Sequence, residues 1–344
     1  MKHTVKWGII GLGNIAFEFA KSFYNVDNAD LIAVASTSHE KLIKFKHKFN
    51  INDENLHNYY EKILENDSID IVYIALPNVF HFEWILKAIE KNKNVFVEKP
   101  AFISLKQAEK IFNHKNFENI FFGEGYMYRY HPQIIDIIEI IKTGEIGKPI
   151  SMESNYGINL IHKKNFLGFN KIKINKNKRI FNKDLGGGVI LDQGCYTTSM
   201  SLLVASLIEN IDLTNFSLSD IRTEYMLNDI DVYSQAKINF DNKFVSNVKT
   251  SFKDDIGKKT FISCEKGKIV IENNWNSEST KIEIVGKINK ILNFENLENI
   301  YSLEIKYISN DIIKGKTEAS VPGINKKDIL LNASIINHWM NGKK

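Results

Sequence analysis

Lysine, aspartate and tyrosine side chains suited to proton transfer occur in two motifs of the chain. Lys99 lies in Glu98-Lys99-Pro100, directly after a predicted strand, where its ammonium can bond a substrate oxygen. The proline fixes this turn and can form a cis peptide. Asp192 and Tyr196 follow a glycine triplet and are four residues apart in a predicted helix, which places them on one face.

These groups suggest a proton-transfer site. A phenol transfers a hydroxyl proton when a nearby cation lowers its pKa, and Lys99 is our candidate for that cation beside Tyr196. Asp192 would bind a substrate hydroxyl or orient the lysine. In the simpler interpretation, the helix dipole favours Asp192 and Tyr196 is only a packed side chain.

A glycine-rich turn near the start of the chain predicts a dinucleotide site. Residues 11–16 (GLGNIA) lie between a predicted strand and a predicted helix, the context that the dinucleotide-binding fingerprint requires. The first glycine permits the tight turn, the second lets the backbone approach a pyrophosphate, and the helix start attracts the phosphates. The alternative is an ordinary glycine turn. The residues assigned to this site are Gly11, Gly13, Asn14, Ile15 and Ala16.

The end of the second predicted strand bears on the choice between NAD and NADP. An enzyme specific for NAD usually has an acidic side chain there for the ribose hydroxyls. This chain has Ser36, Thr37 and Ser38 instead, with Lys41 close behind. Without a carboxylate to repel a 2′-phosphate, we expect NADP, with Ser36, Thr37 and Lys41 in the site. The usual arginine is absent too, and residues 36–38 could simply cap the next helix, which suits either cofactor.

Alternating strands and helices place these motifs in the first third of the chain. An alternation of this kind predicts a doubly wound parallel sheet of the Rossmann type with helices on both faces. The predicted strands cover residues 4–10, 31–36, 70–76, 94–97 and 119–128. One predicted helix begins at the glycine turn, and the others cover residues 40–49, 81–93 and 104–115.

After residue 122 the pattern changes to that of an α+β domain. Residues 149–160 and several runs between about 218 and 308 alternate like strands of a large, mostly antiparallel open sheet. The lysine-rich residues 162–184 predict a long surface loop, and a helix is expected at about 325–341. We therefore expect domains at 1–122 and 123–344, with the last helix able to pack back on the first domain.

Taken together, the motifs resemble the Gfo/Idh/MocA oxidoreductases, the family of glucose–fructose oxidoreductase and inositol dehydrogenase. The resemblance covers nearly the whole chain, and its motifs are specific only in combination. They are the glycine turn, Pro77-Asn78 with His81, Glu98-Lys99-Pro100, GEGYMYRYHP at 123–132, and LGGGVILDQGCY at 185–196.

The resemblance implies roles for individual residues. Lys99 would lie beside the nicotinamide and the reacting carbon, and Tyr196 stands where the family often has histidine. Tyrosine there is similar to the dihydrodiol dehydrogenase and glucose–fructose oxidoreductase branches, and it favours a tyrosine acid/base. His81, taken alone, could equally be a histidine at a helix start. The matching residues assigned to the cofactor site are Leu76, Pro77, Asn78, His81, Glu98 and Lys99.

Three basic side chains are candidates for substrate contacts. Arg129 and His131 follow the predicted domain crossing, where they could contact substrate oxygens or pair with Glu124 as an interdomain brace. Arg179, ahead of the glycine triplet, is a further candidate. Cys195 has no histidine adjacent in sequence, so we interpret it as a small buried neighbour and not a nucleophile.

Composition excludes several other classes of protein. The 344 residues are 43% hydrophobic and 25% charged, with a net charge of +4, and a nucleic-acid binder would show a basic stripe. No apolar run is long enough for a bilayer, and the first residues lack a secretory signal. We therefore expect a cytoplasmic protein with free Cys195 and Cys264, no metal ligands, and neither nucleic acid nor membrane as partner.

The expected function is reversible oxidation of a secondary alcohol on a small polyhydroxy substrate: a sugar, a cyclitol or a related diol. Lys99 and Tyr196 would form the proton-transfer pair. The rivals are a non-catalytic NAD(P)-binding regulator, a glycosidase that uses NAD transiently, and chemistry like that of biliverdin reductase. The broad face of the second sheet predicts a homodimer or a dimer-based tetramer.

Overall fold

The chain folds into two compact units. The computed structural model describes residues 4–164, 170–172, 178–226, 228–275, 280–287, 289–295 and 299–342. The first unit combines Met1–His131 with Glu298–Leu330, and the second combines Pro132–Leu297 with Leu331–Lys344. We expected a boundary near residue 122. The structure groups residues up to His131, and one later segment, with the first unit.

The first unit contains a parallel sheet and the helices that connect its strands. Its strands are β1 (Val5–Ile10), β2 (Ala29–Ala35), β3 (Leu56–His57), β4 (Ile71–Ile74), β5 (Asn94–Glu98) and β6 (Phe122–Gly125). The helices between them are α1 (Asn14–Lys21), α2 (His39–Phe49), α3 (Glu61–Leu64), α4 (Asn78–Glu90) and α5 (Leu105–Phe112).

The strands of the first unit pair in parallel in the order β3-β2-β1-β4-β5-β6. Every residue of β4 is buried, as expected for a central strand covered by helices on both faces. Aromatic side chains fill the core beside it: Trp7 packs edge-on against Phe96, and Phe19 stacks on Tyr73 with ring centroids 3.9 Å apart. Because all six strands are parallel, their carboxyl ends lie at one edge, where the predicted cofactor loops begin.

The second unit contains a larger sheet. Its strands, with those of a small hairpin, are β7 (Pro149–Gly157), β8 (His162–Lys164), β9 (Asn170–Ile172), β10 (Phe216–Tyr225), β11 (Asp231–Phe240), β12 (Phe244–Ser251), β13 (Thr260–Cys264), β14 (Gly267–Ile271), β15 (Thr280–Val285) and β16 (Lys290–Phe294). The remaining helices of the chain are α6 (Pro132–Thr143), α7 (Cys195–Ser206), α8 (Ile300–Ile313) and α9 (Lys326–Asn341).

The eight large strands run in the order β10-β11-β12-β7-β13-β14-β15-β16. All neighbours pair antiparallel except β12 and β7, which are parallel. Burial alternates strictly along β11, so one face of the sheet packs inward. The buried helix α7 lies on that face, where the hydroxyls of Ser201 and Ser246 are 2.7 Å apart. Trp339 of α9 donates to the Ser234 hydroxyl of β11 at 2.8 Å.

The predicted fold class is confirmed, but two local predictions are wrong. Residues 162–184 were expected to form one long loop, whereas the described part includes the antiparallel pair of β8 and β9 and two short 3₁₀ turns. Residues 165–169 and 173–177 of that stretch lie outside the described residues. The strand-rich region was expected to reach residue 308, yet residues 300–313 form α8. This helix belongs to the first unit, where Trp7 donates to Ser309 at 3.1 Å.

Among the residues that the structure describes, no helix combines the length and apolarity that crossing a bilayer requires.

Candidate active site

The turn after β1 has no room for a larger side chain at its first glycine. Gly11 has a φ of +89°, and its N–H donates to the carbonyl oxygen of Ala35 at 3.0 Å. A Cβ at Gly11 would lie 2.7 Å from Leu76 and 2.8 Å from the carbonyl oxygen of Ala75. Glycine is therefore required here for the turn itself.

The second glycine of the same turn borders open space. A Cβ at Gly13, the residue before α1, would meet no atom of the described chain within 4 Å. Ala16 is fully buried and keeps α1 close to the sheet. The N–H groups of Asn14 and Ile15 belong to the first turn, where intrahelical acceptors are lacking and the helix dipole is positive. This open cradle of backbone N–H groups fits the pyrophosphate of a dinucleotide.

The residues after β2 form a hydrogen-bonded turn. The N–H of buried Ser36 donates to the carbonyl oxygen of His57 at 3.0 Å, and the Ser36 hydroxyl accepts from Ser38 N–H at 3.1 Å. The Ser38 hydroxyl accepts from Lys41 N–H at 3.4 Å and caps α2. Capping, one of the two roles left open for this segment, is thus performed by Ser38. The side chains of Thr37 and Lys41 are exposed and accessible to a ligand.

His81 joins two loops at the carboxyl edge of the sheet. α4 begins at Asn78, directly after Pro77, and both Asn78 and His81 are buried. The His81 ring has Nδ1 2.9 Å from the carbonyl oxygen of Pro100 and Nε2 2.8 Å from that of Leu76. Its ring therefore connects the loop after β4 to the turn that carries the predicted catalytic lysine.

Glu98, at the end of β5, is held by a tyrosine from the neighbouring strand. The Tyr73 hydroxyl donates to Glu98 Oε1 at 2.5 Å, and burial together with the Glu98 charge raises the pKa of Tyr73 far above its usual range. Burial, followed by the same charge, also raises the pKa of Glu304 well above its usual value. Lys99 is partly exposed, and the Lys99–Pro100 peptide bond is cis.

Arg129 and His131 are both buried. Burial raises the pKa of Glu124 to about 7, opposed by a hydrogen bond from Ala101 N–H at 2.8 Å and by the Arg129 charge. Arg129 Nη1 also donates to the carbonyl oxygen of Gly323 at 3.3 Å. Burial lowers the pKa of His131 to about 4, so its ring is neutral at pH 7. Arg129 and Glu124 thus interact within the first unit, and substrate contact by either basic residue stays a prediction.

Asp192 of the second unit lies in a π-helical turn and not in the regular α-helix that we expected. The turn spans Ile190–Gly194, and Cys195 N–H donates to the Ile190 carbonyl, five residues back. The α-helical argument for a shared face of Asp192 and Tyr196 therefore does not apply across this turn. Asp231 Oδ2 accepts from Ile190 N–H at 2.7 Å and ties the turn to β11.

Tyr196, in the first turn of α7, packs in an aromatic group. Its ring centroid lies 5.4 Å from that of Tyr156 and 5.8 Å from that of Trp275, both edge-on. Tyr156 stacks on Trp275 with an interplanar angle of 16°, and Trp275 Nε1 donates to the Asn155 carbonyl at 3.0 Å. These contacts fix the plane of the Tyr196 ring, as an acid/base group requires.

Arg179 is close to the predicted aspartate. Its Nη2 donates to Asp192 Oδ1 at 2.7 Å, and the two side chains are 31% and 17% exposed. The sequence suggested Arg179 only as a direct substrate ligand, because an ion pair between residues thirteen positions apart has no local pattern.

Both cysteines are free thiols, as expected. Cys195 is fully buried, with Sγ 3.6 Å from the Asp192 carbonyl oxygen. Burial and the charge of Glu265 raise the pKa of Cys264 to about 11, which makes it a poor nucleophile.

The predicted residues therefore fall into two groups, one in each unit. The carboxyl edge of the first sheet collects the residues after β1, β2, β4 and β5. In the second unit, Asp192 lies in the turn before α7, Tyr196 lies in the first turn of α7, and Arg179 bonds Asp192 from a separate 3₁₀ turn. Sequence reasoning missed Tyr73, Asp231, Tyr156 and Trp275, which hold these groups in place. A hydroxyl in the otherwise apolar strand β4 was the only signal for Tyr73.

Family models match both units. The model described as the oxidoreductase family with an NAD-binding Rossmann fold, GFO_IDH_MocA, matches residues 5–122. The model of the GFO/IDH/MocA C-terminal domain matches residues 134–270. Together the two matches cover β1 to β5 of the first sheet and the segment from β7 into β14 of the second unit.

Two similar proteins are D-xylose 1-dehydrogenases (NADP(+)). The chain is 32% identical to the one from Hypocrea jecorina over 207 residues, which cover 56% of this chain and 51% of that protein. It is 25% identical to enzyme 2 from Haloferax volcanii over 246 residues, covering 72% and 69%. The match thus spans about half the length of the Hypocrea protein.

A solved structure shares the fold over nearly the full length. The aldose-aldose oxidoreductase from Caulobacter crescentus, complexed with glycerol, superposes with a TM-score of 0.83. The alignment covers 98% of this chain and 97% of that one at 19% identity.

The two glycines of the first turn should respond differently to alanine. Gly13→Ala should keep the wild-type melting temperature, because its φ of −85° suits alanine and the space is open, yet weaken NADP binding at least about tenfold (~1.4 kcal/mol). Gly11→Ala should destabilise the fold by about 2–4 kcal/mol through strain and overlap. Fluorescence titration and thermal unfolding measure the two effects. Unchanged NADP affinity in folded Gly13→Ala would contradict the proposed cradle.

Proposed function

The chain belongs to the Gfo/Idh/MocA family of oxidoreductases, and we propose that it transfers a hydride between NADP and a secondary alcohol or ketone of a sugar, a cyclitol or a related diol. One observation carries this proposal: the open cradle at Gly13 and the side chain of Lys99 follow β1 and β5, which flank β4 at the same sheet edge. A bound nicotinamide would supply the hydride donor or acceptor. Two xylose dehydrogenases among the relatives favour a sugar-like substrate.

The chain itself would supply proton transfer and orientation. In the oxidative direction, Tyr196 takes the proton of the reacting hydroxyl, and it returns that proton in reduction. Lys99 bonds the same oxygen and supports the phenolate by its charge. Asp192 accepts a neighbouring substrate hydroxyl. His81 and Tyr73 keep the Lys99 turn in place through the Pro100 carbonyl and the Glu98 carboxylate.

The residues after β2 support NADP as the cofactor. Ser36 and Ser38 are engaged in the turn, and exposed Thr37 and Lys41 remain for the adenosine ribose. A 2′-phosphate there would meet an ammonium and no carboxylate at residues 36–38. Both xylose dehydrogenases named above are NADP(+) enzymes.

The outer face of the second sheet supports a homodimer, or a tetramer made from dimers. Phe261, Val285 and Ile291 of this face are 38%, 39% and 59% exposed. Phe261 and Ile291 lie in one cross-strand row, since Phe261 pairs with Val270, Val270 with Glu283, and Glu283 with Ile291. Exposed apolar side chains grouped on a broad sheet face are typical of a surface that a second copy covers.

Replacing the proposed proton-transfer pair should remove turnover while preserving cofactor binding. Lys99→Ala and Tyr196→Phe should each lower kcat by about 10²–10⁴-fold, and the double variant should be no worse than the worse single variant, because the two act on one oxygen. Steady-state assays on a panel of sugars, cyclitols and diols, with NADPH titration, measure this. Tyr24→Phe, at a tyrosine that is 94% exposed, is the matched control. NADPH binding without turnover by the wild type would instead indicate a regulator.

The preference for NADP over NAD should depend on the charge of the side chains that follow β2. Lys41→Ala should lower the ratio of kcat/KM for NADP over NAD about tenfold, and Thr37→Asp should reverse the preference by repelling the 2′-phosphate. Lys44→Ala is the control, since Lys44 lies on the same helix with its Nζ 4.6 Å from the Phe17 ring centroid. A wild-type preference for NAD would overturn this assignment.

Charged side chains introduced on the outer face of the second sheet should separate the subunits. The wild type should sediment at a multiple of the 39.6 kDa chain mass, and Phe261→Lys with Ile291→Lys should sediment as the monomer. Ile313→Lys, at an exposed position of α8, should leave the assembly intact. A monomeric wild type at micromolar concentration would remove the dimer proposal.

A further inference from the structure

The ion pair between Arg179 and Asp192 lies on two turns that are tied to the surrounding structure. Arg179 begins a 3₁₀ turn, and the Gly188 N–H donates to the Ile180 carbonyl of that turn at 3.0 Å. Asp192 lies in the π-helical turn that Asp231 holds through Ile190 N–H. Gly188 has a φ of +118°, and a Cβ there would overlap the Asp231 carboxylate. Both partners of the ion pair, 2.7 Å apart, therefore extend from backbone segments that are hydrogen-bonded to their surroundings.

In this geometry the charges of Arg179 and Asp192 compensate each other. A guanidinium that donates to a carboxylate at this distance forms a strong, charge-assisted hydrogen bond, and it favours the ionised form of the acid. With the carboxylate ionised, the pair has no net charge, so it offers an anionic substrate no excess positive charge. What the pair presents to a substrate is a fixed carboxylate, which accepts hydroxyl donors.

We propose that Arg179 is a positioning residue, an inference that rests on the proposed function. Its guanidinium holds the Asp192 carboxylate ionised and oriented to accept a hydroxyl of an uncharged polyol. This selects neutral sugars and cyclitols over aldonates, uronates and sugar phosphates. It also replaces the direct substrate contact that the sequence suggested for Arg179 with an indirect role.

Other titratable groups near the π-helical turn must be separated from Asp192 in any pH measurement. Those on the described elements around it include Asp231 of β11, Tyr156 of β7, Lys183 and Asp184 of one 3₁₀ turn, and Cys195 and Tyr196 of α7. Asp231 bonds the π-helical turn directly, and burial raises its pKa. A shift that depends on Arg179 therefore needs Asp192→Asn as a reference.

The pH profile of kcat/KM on a neutral sugar tests this role. In Arg179→Gln the acid limb of the profile should move to higher pH, because a carboxylate without its cation takes up a proton more readily. The KM of this variant should rise about ten- to hundredfold, with a smaller change in kcat. Arg179→Lys should keep the wild-type acid limb while raising KM. Arg222→Gln, at an exposed arginine of β10, should behave as wild type, and Asp192→Asn should lack the shifting limb.

The same variants should reveal the selectivity. Asp192→Asn leaves the guanidinium without its counter-charge, so an aldonate should inhibit this variant more strongly than it inhibits the wild type. In the double variant Asp192→Asn/Arg179→Gln this increase in inhibition should disappear. If the wild type turns over polyols and Arg179→Gln keeps the wild-type pH profile and KM, this inference is overturned while the proposed function stands. If Arg179→Gln does not fold, a wild-type KM in Arg179→Lys overturns it. No polyol turnover by the wild type would overturn both this inference and the proposed function.

Discussion

Parallel pairing of β1, β2, β4 and β5 is the constraint on which the proposed cofactor site depends. Parallel strands end at the same edge, so four loops that are far apart in sequence must emerge side by side. At that edge, hydrogen bonds join one loop to the next: Gly11 N–H to the Ala35 carbonyl, and His81 to the carbonyls of Leu76 and Pro100. These hydrogen bonds hold the loops in place without a ligand, and preorganisation of this kind lowers the entropy cost of binding.

In the second unit, the corresponding constraint is the anchoring of one irregular turn. A π-helical turn is less stable than an α-helix and needs tertiary support. Asp231 supplies it by accepting Ile190 N–H from β11, and the aromatic group around Tyr196 holds the helix that follows. The side chains proposed for chemistry therefore project from a segment whose backbone is fixed by residues that take no part in chemistry.

The sequence predicted most of the first unit because glycine, proline and apolar periodicity are local signals there. It failed where the signal was misleading or non-local. Leu303, Ile305 and Tyr307 alternate like a strand, yet they lie in α8, because this segment packs against the first unit. The two-residue strand β3 is too short to show a period. Neither the π-helical turn nor the pair of Arg179 and Asp192 could be predicted, since each depends on contacts between separate segments.

Charge around Lys99 illustrates how burial supports the proposed chemistry. Three carboxyl groups, those of Glu98, Glu124 and Glu304, interact electrostatically near the end of β5. Negative charges on these groups would repel one another, and the burial of Glu124 and Glu304 adds a desolvation cost. Burial raises the pKa of Glu304 well above its usual value and that of Glu124 to about 7, while Tyr73 donates to Glu98. Burial thus disfavours negative charge on Glu304 and Glu124, and the carboxyl of Glu98, adjacent to Lys99, has the Tyr73 hydroxyl as a hydrogen-bond donor.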